Sequence, residues 1–210
     1  MGDTGRQEPT GLLTVRRLAA AVAFALPLLV VVAPVGPAEA SGSLVAVGGT
    51  GRIVGSGPRI DYRVAVERGI GEDRFVFAAA VRDTLGDRRD WGRYHSFRRV
   101  SSAPYRFTVV LASAATTDRL CYPFRTGGIY SCYNNGRAVI NNYRWRHPPA
   151  SYAGHVAAYR IYLVSHEVGH ALGHQHRYDC LASGLAPVMM QQTKSLYGCR
   201  RNPWPFPPVG

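Results

Sequence analysis

Acidic residues are in short supply: 13 Asp and Glu stand against 25 Lys and Arg, so the 210-residue chain carries a formal net charge of +12. Charge of either sign is modest, at 18% of residues against 46% hydrophobic. That balance excludes a disordered polyelectrolyte and leaves a globular chain of ordinary domain size. The arginines are scattered and match no nucleic-acid-binding motif, so no DNA or RNA partner is expected. The basic excess reads as a solvated surface, with attraction to acidic substrates or an anionic cell envelope as the alternative. No C-x-x-C pair occurs, which excludes a cysteine-built zinc site. There is no repeat of solenoid period and no long internal linker, so a single domain is expected after the N-terminal segments.

What is present begins with an export signal. Arg6, Arg16 and Arg17 precede an apolar run over 18–35, and Ala38-Glu39-Ala40 offers a small-x-small cleavage site, predicting a signal peptide over 1–40. The alternative is a membrane anchor through 18–35, since about 18 apolar residues begin to suffice for a span. Pro27, Pro34 and the cleavage triplet favour removal and a secreted or extracytoplasmic protein. The three arginines of this segment are balanced by Asp3, Glu8 and Glu39, so the mature chain keeps its +12. The four cysteines all follow it, and an oxidising compartment suits disulfides. Three pairings are open. Cys121–Cys132 and Cys180–Cys199 are favoured because each closes a short loop.

Residues 41–58 are rich in Gly, Ser and Val and read as a flexible N-terminal segment with room for one edge strand. The main folded domain, over 59–210, follows. Residues 59–67 alternate, with Ile60, Tyr62, Val64 and Val66 on one side, predicting a strand. Residues 72–85 place Phe77, Ala78, Val81 and Leu85 at helical spacing behind Glu72 and Asp73, with Gly86 as the stop. Residues 105–112 form a second strand by composition. Asn134-Asn135-Gly136 between 129–133 and 137–141 predicts a hairpin. Ser151 is the expected cap of a long helix running to about Gly173, and an irregular C-terminal part follows. The order implies an α+β fold on a mixed or mostly antiparallel sheet.

The chemistry concentrates in His166-Glu167-Val168-Gly169-His170-Ala171-Leu172-Gly173-His174-Gln175-His176. At about 100° per residue, positions four apart lie about 40° apart around a helix, so His166 and His170 can reach one metal from one face. Glu167 is beside them, placed for a water on that metal without being a ligand. Gly173 can take the left-handed conformation that ends a helix and turns the chain back. His176 then completes three imidazoles, which leave zinc a free position for water. His174 becomes the third ligand only if the helix continues past Gly173; otherwise it is a solvated residue. His95, His147 and His155 lack ligand spacing, and Asp179 is a candidate orienter of a ligand. Five fixed residue types over eleven positions arise by chance in roughly one chain of this length in 10⁵.

This segment resembles the metzincin signature H-E-x-x-H-x-x-G-x-x-H. Pro187-Val188-Met189-Met190, with Met189 13 residues after His176, resembles the methionine turn that follows it in that clan. Ala186-Pro187-Val188-Met189-Met190-Gln191-Gln192 and Asn202-Pro203-Trp204-Pro205 are similar to stretches of a secreted bacterial metzincin-like family of unknown function. The resemblance implies a metzincin-like zincin domain with an active-site helix, and Met189 packed under the ligands. Some metzincins carry a tyrosine two residues after the turn methionine; Gln191 stands there in this chain. No cysteine precedes Cys121, so a cysteine-switch propeptide is not expected. The implied activity is zinc-dependent cleavage of a peptide or protein by a monomer. Glu167 would be general base, and the substrate would lie along the hairpin or the 105–112 strand. A non-catalytic zinc-binding envelope module and a zinc amidase acting on cell-wall peptides are the alternatives.

Overall fold

A computed structural model describes residues 42–208. The expected signal peptide over 1–40 and the anchor alternative lie outside these residues. Among the described residues no helix is long and apolar enough to cross a membrane.

The sheet is built around β3 (Arg59–Glu67), whose alternation is as its sequence implies: Ile60, Tyr62, Val64 and Val66 face the main core. Asp73 then caps α1 (Arg74–Gly86), accepting from the backbone N–H groups of Phe75 and Val76 at 2.7 and 3.0 Å. Phe77, Ala78, Val81 and Leu85 are the buried stripe of α1, and the helix ends where Gly86 was read as its stop. The chain returns in β4 (Ser96–Arg99), which pairs parallel to β3. β5 (Phe107–Ala112) pairs parallel to the other side of β3. After α2 (Ala114–Cys121) comes the hairpin of β6 (Cys132–Asn134) and β7 (Arg137–Asn141). Asn135 and Gly136 turn it with φ of 46° and 71°, the backbone that Asn-Gly favours.

β5 is buried along its whole length because both sheet faces are covered. Phe107, Val109 and Leu111 join the core under α1 and the later helix, whereas Val110 and Ala112 pack with Val139 and the Cys121 and Cys132 side chains. With β1 (Leu44–Ala46) and β2 (Val54–Gly55) included, the sheet order is β2-β4-β3-β5-β7-β6, with β1 also on β3. Three of the six pairings are parallel and three antiparallel among the described residues, so the sheet is mixed rather than mostly antiparallel. The α1 crossover carries β3 into β4 in the same direction, which makes that pair parallel.

Residues 42–58, from the segment read as flexible with room for one edge strand, supply two short strands. β1 (Leu44–Ala46) pairs with β3 and β2 (Val54–Gly55) with β4, and Val47 is fully buried. Arg99 holds the glycine-rich connection by donating to the carbonyls of Val47, Gly48 and Gly49 at 2.8, 2.9 and 3.1 Å. The long helix also starts later than expected. After the short α3 (Asn142–Arg146), Ser151 lies in a 3₁₀ turn and donates to the Gln192 carbonyl at 3.1 Å instead of capping anything. α4 (Val156–Ala171) begins behind His155, where no side chain caps it.

Candidate metal centre

α4 carries His166, Glu167 and His170 on its cleft side, while Tyr159, Leu163, Val164 and Val168 anchor it in the main core. Gly173 ends it with a φ of +100°. The His174 N–H reaches the Gly169 carbonyl and the Gly173 N–H reaches the His170 carbonyl, both at 3.0 Å, which is the bond pair of a Schellman cap. The reversal delivers His176. Ligand atoms of His166, His170 and His176 all lie within 4.8 Å of one another. The Nε2 atoms of His170 and His176 are 3.1 Å apart. A tetrahedral zinc with Zn–N bonds of about 2.0–2.1 Å needs an edge of about 3.3 Å, so the donors fit.

The tautomers fit as well. The Nδ1–H of His166 donates to the Val188 carbonyl and that of His170 to the His174 carbonyl, both at 2.8 Å. A carbonyl oxygen cannot donate, so each Nδ1 carries the proton and each Nε2 presents a lone pair inward. Burial pushes the His166 pKa down to about 3, with His170 adding to the effect. Burial lowers His170 and His176 too; for His176 the charges of His170 and Lys194 act in the same direction. Imidazoles already free of protons suit a metal, which competes only with protons for them. Glu167 is 4% exposed, and burial pushes its carboxyl up to about 8. It lines a cleft of about 620 Å³ and has no hydrogen-bond partner among the described residues.

The family described as "Protein of unknown function (DUF3152)" matches residues 33–207. The chain belongs to that family. Comparisons with curated proteins and with solved structures find no match.

Within this family member, Met189, the expected turn methionine, is buried against α4. It joins the main core beneath α4 at Gly169, where an added Cβ would collide with the Met189 sulfur and lie 2.9 Å from Cζ2 of Trp91. Met190 instead packs with Ala186 and Cys199. The disulfides are Cys121–Cys132 and Cys180–Cys199, as loop length suggested. Asp179 is exposed, and the ligand orienters are backbone carbonyls. His174 is neither ligand nor simply solvated: its ring stacks on Trp91 with centroids 4.4 Å apart, and its carbonyl orients His170. His95, His147 and His155 stay out of the cluster. Tyr197 lies against Tyr178, whose ring is 6.1 Å from that of His176.

Several residues of the site carried no sequence signal of their own. Gln192 is fully buried and bonds to Tyr152, Pro187 and Asn202; Asn202 in turn donates to the carbonyls of Ala186 and Trp204. The hydroxyl of Tyr162 donates to the Met190 carbonyl and accepts from the Gln192 N–H, both at 2.9 Å. This network holds the Pro187-Val188-Met189 turn against α4. The Gln192 and Asn202 motifs were visible in the sequence as strings, without a role.

Proposed function

We propose that the protein is an exported zinc-dependent endopeptidase of the metzincin type. The reading is carried by Glu167: a nearly buried, unpartnered carboxyl facing a cleft beside three converging imidazoles. A purely structural zinc site has no use for such a group.

His166, His170 and His176 would hold the metal through Nε2. Zinc there supplies Lewis acidity, acidifying water and polarising a carbonyl. Glu167 takes a proton from water as the water oxygen attacks the peptide carbonyl carbon, then returns it to the leaving nitrogen. The carboxyl is free for both transfers because no other described residue holds its oxygens. The substrate lies along β6. Among the described residues that strand is paired only with β7, and Ser131, Cys132 and Tyr133 line the cleft, so its free edge can take an extended peptide. β5, the other strand considered from sequence, lies between β3 and β7 and has no free edge.

The test is hydrolysis of casein, cell-wall material and a peptide library by mature protein, with and without chelator, alongside metal analysis. One zinc per chain and chelator-sensitive peptide cleavage are expected. Glu167→Ala should keep the zinc and lose about 10²–10⁴-fold in rate. Undiminished cleavage by that variant ends the reading.

A further inference from the structure

The cleft has an uneven charge. Arg125 and Lys194 both line it, and Glu167 is the one acidic residue among its lining. Among the described residues neither cation has a carboxylate partner. Lys194 Nζ lies 5.1 Å from the centre of the Tyr130 ring and 3.4 Å from Gln191 Oε1. Gln191 Oε1 also accepts from the Tyr178 hydroxyl at 3.1 Å, which links Lys194 to the ring packed on His176. The lining around Arg125 is held in shape. Cys121–Cys132 closes it, the Asp118 carboxylate accepts from Thr126 Oγ1 and from the Gly128 N–H, and Asn134 Nδ2 donates to the carbonyls of Leu120 and Tyr122.

Most acids elsewhere are already engaged; Asp179 is exposed without a partner among the described residues, and it does not line the cleft. Asp61, Asp83, Asp87 and Glu72 pair with arginines, and Glu67 accepts from Ser113 and Thr116. Arg125 and Lys194 therefore line the cleft with their charge uncompensated, and its low-dielectric walls concentrate the field.

We propose that this cleft selects peptides bearing a carboxylate close to the scissile bond, held between Lys194 and Arg125. The proposal rests on the peptidase reading for the word scissile, but the carboxylate site itself is a matter of binding. Tyr130 and Phe124, which also line the cleft, give the aliphatic part of an acidic side chain an apolar surface. A basic residue at the same place would meet two cations and be rejected.

Calorimetric titration of zinc-loaded Glu167→Ala protein reads binding without turnover. The probes are acetylated, amidated heptapeptide pools carrying one Glu, Gln or Lys scanned through every position, and a Gln pool with a free C-terminus. The Glu pool should bind about tenfold more tightly than the Gln pool, and the Lys pool more weakly than either. Lys194→Glu and Arg125→Glu, each added to this protein, should narrow or reverse that order; raising salt should narrow it. Preference for the free C-terminus over the Glu pool would identify a chain-terminal carboxylate as the group held. Equal affinities for all pools, or no binding by any, overturns the proposal. Charge-ordered binding without cleavage by the Glu167 form overturns the peptidase reading and leaves the carboxylate site in place.

Discussion

At the residue scale, the centre depends on what neighbours each ligand. His166 and His170 owe their inward Nε2 lone pairs to two carbonyls supplied by Val188 and His174. Gly169, between them, is constrained for a different reason: the Met189 sulfur and the Trp91 ring occupy the space a side chain would need. Gly169→Ala should cost about 1–3 kcal/mol through overpacking and weaken zinc binding by moving the turn that orients His166. Denaturant unfolding with a zinc titration checks both. A variant as stable and as zinc-avid as the parent would show that Met189 and Trp91 yield freely. The x-x positions of the motif are silent in the sequence here. The packing that makes one of them glycine comes from residues 20 and 78 positions away.

At the element scale, the 3₁₀ turn Trp91–Arg93 works as a clamp on α4. Asp90 accepts from the Trp91 N–H and from the Ser165 hydroxyl, and Trp91 Nε1 donates to the Ser165 carbonyl at 2.8 Å. Asp90 is fully buried, and burial raises its pKa to about 7 against the lowering pull of the Ser165 and Trp91 bonds. Its ordinary value is 3.8. Between these values the folded chain keeps a proton that the unfolded chain has lost, so rising pH favours unfolding. The contribution is complete below about pH 4 and is lost as pH rises towards 7. Asp90→Asn has no such dependence. The stability of the parent relative to this variant should therefore fall from pH 4 to 7, by at most about 1.4 kcal/mol per unit. Denaturant midpoints measured across that range decide it; parallel curves would mean Asp90 titrates normally. Elements were unevenly legible. β3, α1 and the hairpin follow from periodicity and turn residues. β4 escaped because Ser96-Phe97-Arg98-Arg99 offers one apolar side chain, and its pairing with β3 is a product of the crossover. Ser151 has a cap's chemistry, but the chain makes a separate turn before α4 begins at Val156.

At the scale of the whole molecule, the three-histidine site joins two parts with different internal order. One is the sheet with α1 and α4. The other is the irregular C-terminal segment, stitched by Cys180–Cys199 and by the Gln192 and Asn202 network. His166 and His170 belong to the first, and the Val188 carbonyl and Met189 to the second. Bound zinc should therefore stabilise their joint. At a thousandfold excess over Kd the gain is about 4 kcal/mol. At about 2–4 °C per kcal/mol for a chain of this size, chelation should lower Tm by roughly 10 °C. Differential scanning calorimetry with and without chelator, and with zinc restored, checks it. An unchanged Tm would mean that the three histidines hold no metal of consequence.

The sequence by itself determined the local events: a helix long enough to carry two histidines one turn apart, a glycine to end it, a third histidine after the reversal, and cysteines spaced for short loops. Each follows from neighbours within a few turns of chain, where period and conformational preference act. Tertiary structure decided the rest: which methionine packs against Gly169, which nitrogens of His166 and His170 carry their protons, that the His174 carbonyl holds His170, and that of β5 and β6 it is β6 that ends the sheet. Those outcomes depend on carbonyls, rings and strand partners brought together from distant parts of the chain. Burial, not residue type, gives Glu167 and His166 their shifted proton affinities.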